Sequence, residues 1–86
     1  MSLDQIRKTI EEAVPNATVF VLDPNHDGQH FEAIVVSPSF EGLLLVKQHQ
    51  MVLKALTNAF AGSVHALALK TFTPQKWEEA KHQFNL

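Results

Sequence analysis

The chain has no cysteine and no tyrosine, one arginine, one tryptophan and three glycines among its 86 residues. Each shortage removes a class of protein. Without cysteine there is no disulfide scaffold, and structural zinc sites lose their commonest ligand. The same lack fits a reducing compartment, so cytoplasmic residence is the expectation. No apolar stretch approaches the ~20 residues that a membrane span requires. The amino terminus, MSLDQIRKTIEE, is charged from its fourth residue and lacks the apolar centre of a signal peptide. A soluble, untargeted protein without a membrane partner is expected.

The scarcity of arginine bears on nucleic acid. Affinity for phosphates rests on Lys and Arg, and a domain that binds them often has a pI above ~9. Here the net charge is −2 and seven basic residues are scattered along the chain with no dense run; the pI is near 6.2. Composition therefore argues against strong general binding. Catalysis is not expected either, because no G-x-S-x-G elbow, P-loop or dinucleotide-binding glycine pattern is present.

What is there is an ordinary apolar share, 45%, enough for one domain spanning 1–86. A chain of this size buries about 60% of the surface that its unfolded form exposes, so the core is thin. Ser2 and Gln5 have capping-box spacing. Leu3, Ile6, Ile10, Ala13 and Val14 then recur at helical intervals until Pro15 and Asn16. Ala17 to Asp23 reads as a strand, Pro24 to Gln29 as a turn, and His30 to Ser37 as a second strand, together an antiparallel hairpin. Pro38 to Gly42 makes a break with room for one helical turn.

From Leu43 the pattern is helical. Leu45, Val46, His49, Val52, Leu53, Leu56, Ala59 and Phe60 fall on one stripe, with Gly62 as the stop. Val64 to Thr71 reads as a third strand. Thr73 and Pro74 open a closing helix on which Trp77, Ala80, Lys81 and Phe84 share a face, the Lys81 stem buried. The order α-β-β-α-β-α predicts an α+β domain. Its three-stranded mixed sheet has a parallel crossover, and helices cover one face. This order is KH-like, but Gly28, Gly42 and Gly62 are too far apart for the GXXG loop with which RNA-binding KH domains clamp a backbone.

Five histidines in so short a chain, His26, His30, His49, His65 and His82, are the most informative feature. Each has a bland role open to it. His82, between Lys81 and Gln83, reads as solvated surface. His49, on the apolar stripe, reads as a hydrogen-bonded structural residue. His26 and His30 flank the hairpin loop, where polar residues are common. His65 opens the third strand in phase with Leu67 and Leu69, as a rim residue would. The chemical alternative is metal ligation. A chain without thiolates cannot complete an ordinary iron–sulfur cluster, yet histidine replaces two cysteines in some. One or two imidazoles could come from this chain and the thiolates from a partner.

The chain resembles the BolA family along nearly its whole length. The carrying motifs are HFEAIVVSPSFEG (His30 to Gly42), KQHQMVLKAL (Lys47 to Leu56), VHALALKT (Val64 to Thr71) and TPQKW (Thr73 to Trp77). The short loop and Gln50 look closer to the short bacterial and BolA2-like members. The resemblance implies a KH-like fold without GXXG and a complex with a CGFS-type monothiol glutaredoxin. A [2Fe–2S] cluster often bridges that complex, with thiolates from the glutaredoxin and glutathione. It implies roles in iron–sulfur trafficking or in iron and redox regulation. The family's third-strand histidine falls on His65, and its hairpin-loop ligand on His30 or His26. The isolated chain is expected to hold no cluster and to be a monomer or weak homodimer.

Two departures bear on function. The Arg-His-Arg triplet common on the family's long helix reads Gln48-His49-Gln50, and the tyrosine common three residues later is Leu53. Lost positive charge weakens the case for nucleic acid. Some family members are reported as transcription regulators, so DNA binding is the runner-up expectation, and a metal-free adaptor is the third. Because histidine ligates only when neutral, a bridged complex should weaken below about pH 6.5.

Overall fold

A computed structural model describes residues 2–60 and 67–84. Helix α1 (Leu3–Ala13) starts at Ser2, whose side chain accepts from the Gln5 amide while the Gln5 side chain accepts from the Ser2 amide. Strands β1 (Thr18–Leu22) and β2 (Phe31–Val36) follow, then a 3₁₀ turn (Pro38–Phe40), helix α2 (Leu45–Phe60), strand β3 (Leu67–Phe72), helix α3 (Pro74–Ala80) and a last 3₁₀ turn (Lys81–Gln83). The sheet order is β1-β2-β3. β1 pairs antiparallel with β2, Val19 opposite Val35 and Val21 opposite Ala33. β3 lies parallel to β2, with Phe31 opposite Leu67 and Val36 opposite Phe72. The expected order and mixed sheet are therefore present. The expected stop at Gly62 and the first residues of the expected third strand, Val64 to Ala66, lie outside the described residues.

Alternation along the strands divides the sheet into two chemically different faces. Val19, Phe31, Ala33 and Val35 join Ile6, Ile10, Val14, Phe40, Val52 and Leu56 in an aliphatic core beneath α1 and α2. That is the helical layer expected on one face. The short closing helix sits differently. Its Trp77 stacks on Phe20, centroids 5.5 Å apart, and meets Phe72 at 5.4 Å and Phe84 at 5.6 Å. Phe20 and Phe72 alternate with the core residues, so α3 lies on the opposite face. Such ring pairs add about 0.5–1.5 kcal/mol each beyond their area. Lys81 does not bury its stem there: it is exposed and pairs with Glu78 at 2.9 Å.

The α2 stripe also needs correction. Its buried residues are Gln48, Val52 and Leu56, whereas Leu45 is 59% and Val46 56% exposed, with Leu53 at the margin. The buried polar residue of the helix is Gln48, not His49. The Gln48 side-chain amide donates to the backbone carbonyls of Leu43 at 3.0 Å and Phe40 at 3.3 Å, and its oxygen accepts from Thr71 Oγ1 at 2.8 Å. These bonds bind the 3₁₀ turn, the start of α2 and the end of β3 into one joint.

The Ser-x-x-Phe-x-Gly motif explains the other half of that joint. Ser37 is wholly buried. Its hydroxyl donates to the Pro15 carbonyl at 2.7 Å and accepts from the Ser39 amide at 3.0 Å. Its own amide donates to the Phe72 carbonyl at 3.0 Å. Phe40 drops into the core, and Gly42 adopts φ +79°, a backbone region costly to other residues. The motif holds three chain segments together and carries no chemistry of its own.

Candidate histidine site on the hairpin loop

The loop between β1 and β2 is built by two aspartates. Asp23, at the end of β1, accepts through one carboxylate oxygen from the Asp27 amide at 3.2 Å and through the other from the Gly28 amide at 2.9 Å. The His26 amide donates to the Asp23 carbonyl at 3.0 Å. His26 takes φ +53° and Gly28 φ +67°, so the chain reverses within a few residues. Asp27 Oδ1 then accepts from the amides of Gln29 at 2.9 Å and His30 at 3.0 Å. Pro24-Asn-His-Asp-Gly-Gln thus folds as the turn its composition predicts.

The second carboxylate oxygen of Asp27 faces a side chain instead of the backbone. Asp27 Oδ2 lies 2.8 Å from His30 Nδ1. A carboxylate can only accept, so Nδ1 carries a proton, and in the neutral form of the ring the lone pair is on Nε2. Carboxylates orient metal-ligating histidines in this way, fixing the tautomer and raising the basicity of the free nitrogen. The His30 side chain is 60% exposed. The backbone amides of His30 and Gln29, then the His30 ring, hold the Asp27 carboxyl well below the usual carboxylate range.

The other histidines separate cleanly. His26 is exposed on the same loop, but no hydrogen bond orients its ring among the described residues. His49 is half-buried beside a cleft between α2 and β3, and the hydrogen bond expected of its ring is not found among the described residues. His82 is exposed, as expected. His65 lies outside the described residues. Among those that are described, no three His, Asp or Glu side chains converge as a metal-holding group, and no helix is long and apolar enough to cross a membrane. The residue that sequence reasoning passed over is Asp27. An Asp three positions before a His on a turn is a visible signal only once the loop's hydrogen bonds are known.

A small α+β, KH-like domain with a carboxylate-oriented histidine on its first hairpin is what fold and loop define. The family described as BolA-like protein matches residues 5–76. A Haemophilus influenzae protein is 36% identical over 88 residues, covering 99% of this chain and 100% of that one. Bovine BolA-like protein 1 is 48% identical over 50 residues, which are 58% of this chain and 37% of that protein, so the chain spans little over a third of that relative. A Vibrio cholerae protein named as a DNA-binding transcriptional regulator is 37% identical over 60 residues, 70% of this chain and 57% of that one. The structure of a BolA protein homologue from Coxiella burnetii superposes with a TM-score of 0.75 at 35% identity, covering 91% of this chain and 97% of that one. The chain belongs to the BolA family.

Proposed function

We propose that this protein lends imidazole ligands to a [2Fe–2S] cluster held jointly with a CGFS-type monothiol glutaredoxin and glutathione, within iron–sulfur trafficking or iron and redox regulation. The observation that carries the reading is the 2.8 Å contact between Asp27 and His30 Nδ1. It leaves one exposed imidazole in the tautomer that ligates through Nε2. That contact favours His30 over His26 as the loop ligand. Phe31, next after His30, pairs with Leu67, and His65 precedes Leu67 by two residues along the chain. His65 is the second ligand in this reading. The donor set fits a share of a cluster and not a whole one, since the chain has no cysteine and an ordinary cluster needs thiolates. The cluster supplies electron transfer or transferable iron and sulfide; the chain supplies neutral nitrogen donors and the loop that holds one of them still.

The test is anaerobic reconstitution of the cluster with a monothiol glutaredoxin and glutathione, read by visible absorption and circular dichroism. A spectrum distinct from that of the glutaredoxin alone, and altered by His65→Ala and His30→Ala but not by His26→Ala, supports the assignment. An unchanged spectrum on adding this protein sinks it. The name of the Vibrio cholerae relative keeps DNA binding as the second reading. That reading requires affinity that climbs steeply as salt is lowered, and the single arginine and net charge of −2 disfavour it. Binding of apo glutaredoxin without any cluster would leave the metal-free adaptor.

A further inference from the structure

At the opposite end of the strands from the histidine loop lies a cleft of about 630 Å³ between the start of α2 and strand β3. Two features make it more than a gap. β3 is an edge strand. Phe72 turns its carbonyl inward to Ser37, so by strand alternation the amide and carbonyl groups of Leu69 and Thr71 point outward. Among the described residues, no backbone partner meets that outer side. Beside this edge the chain exposes a continuous apolar run: Leu43 37%, Leu44 71%, Leu45 59% and Val46 56%. Exposed contiguous apolar surface next to unpaired strand groups marks interaction sites.

Charge selects the occupant. The charged residues lining the cleft are Lys76 and Lys70, the latter with its ammonium 5.0 Å over the Phe84 ring, and none is acidic, in a chain where acidic residues outnumber Lys and Arg by nine to seven. We infer that the cleft receives an extended segment of a partner protein that alternates acidic and apolar residues. The segment pairs its backbone with Leu69 and Thr71, as in strand addition to a sheet edge. Its apolar side chains lie on Leu43 and Leu45, and its carboxylates face Lys76 and the β3 edge. Nucleic acid fits less well, because leucines and a valine surround the cleft and its aromatic residues are buried or half-buried: Phe40 is 0% exposed and Phe72 is turned to Trp77. Nothing in this inference depends on cluster ligation by His30.

The experiment is a nitrogen-15 NMR titration of the whole protein with a capped nonapeptide alternating valine and glutamate. Amide shifts confined to residues 43–49 and 69–73, with slowed hydrogen exchange at Leu69 and Thr71, support strand pairing. Lys76→Glu, on an exposed side chain, should weaken binding about fivefold and leave the melting temperature unchanged. Four results would overturn the inference: equal affinity for the peptide with lysine in place of glutamate, shifts on the hairpin loop instead, no binding at millimolar peptide, or concentration-dependent self-association that produces the same shifts. Preferential binding of a dodecamer of deoxythymidine, or of vesicles with a quarter of anionic lipid, would also overturn it in favour of those partners.

Discussion

The two ends of the β2–β3 pair are built on opposite principles. At the loop end, polar side chains do the structural work in full view of solvent: Asp23 and Asp27 tie down five donors between them. At the cleft end, a buried Gln48 and a buried Ser37 hold the joint from within, while leucines lie outside. The loop resembles a site arranged before its ligand arrives. The cleft resembles a surface waiting to be covered. The contrast teaches that exposure and burial of polar groups need not follow the usual sorting even along one pair of strands.

The largest stability effect should therefore come from the cleft end. Gln48→Ala strips the hydrogen-bond partner from buried Thr71 Oγ1 and from two carbonyls. A loss of about 2–4 kcal/mol is expected, read by urea denaturation. His30→Ala, on an exposed ring, should shift stability by less than about 0.5 kcal/mol. Comparable losses from both substitutions would break the comparison.

For cluster binding the ranking should invert. Asp27→Asn keeps the shape but offers Nδ1 a neutral partner in place of a carboxylate, so the tautomer and basicity of His30 are no longer fixed by charge. Loss of such an orienting partner typically costs 10–100-fold in metal affinity. The predicted outcome is weaker cluster retention in the glutaredoxin complex, with no change for Gln48 variants that still fold. Asp27→Asn with full retention would show that the 2.8 Å contact is loop structure only.

A matched pair of substitutions sharpens the point. Gly28 at φ +67° and Gly42 at φ +79° both have open space where a Cβ would stand. Alanine at either should cost about 1 kcal/mol of backbone strain, equal within error by thermal melts. Only Gly28→Ala should alter the spectrum of a bridged cluster, and only Gly42→Ala should alter affinity for the acidic peptide. A crossed result would mean that the two ends communicate through the sheet.

Much of this architecture was legible beforehand because the chain obeys local rules. The Ser2–Gln5 capping box and the Thr73–Pro74 start of α3 both form as the residues dictate, and the hairpin turn falls on its run of turn formers. The α2 stripe was misread for a physical reason. Leu45 to Phe60 is apolar around more than half the helix, and periodicity measures how wide an apolar face is, not which part of it finds a neighbour. Gln48 was unreadable as a core residue because its three hydrogen-bond partners come from other elements. The placement of α3 was hidden similarly: Trp77 could serve either sheet face until the alternation of Phe20 and Phe72 against the aliphatic core was known. In the candidate site, His30 and His26 were visible as residue types, whereas the orienting role of Asp27 depends on loop geometry.

The smallest expected effect separates two acid transitions. Asp27 is held below its ordinary carboxylate range by the amides of His30 and Gln29 and by the His30 ring. A group depressed in the folded state contributes stability above its unfolded pKa, near 3.9, and loses it as pH falls through the lower folded value. The loop's hydrogen bonds should therefore remain intact from neutral pH to about 4, and the amide resonances of Gln29 and His30 should move only below that. Loss of ligation by protonation of an imidazole follows the ring instead of the Asp27 carboxyl. Weakening of a bridged cluster between pH 7 and 5 with those two amides unmoved would assign the transition to protonation of a ligand, while coincident movement would assign it to collapse of the loop that presents it.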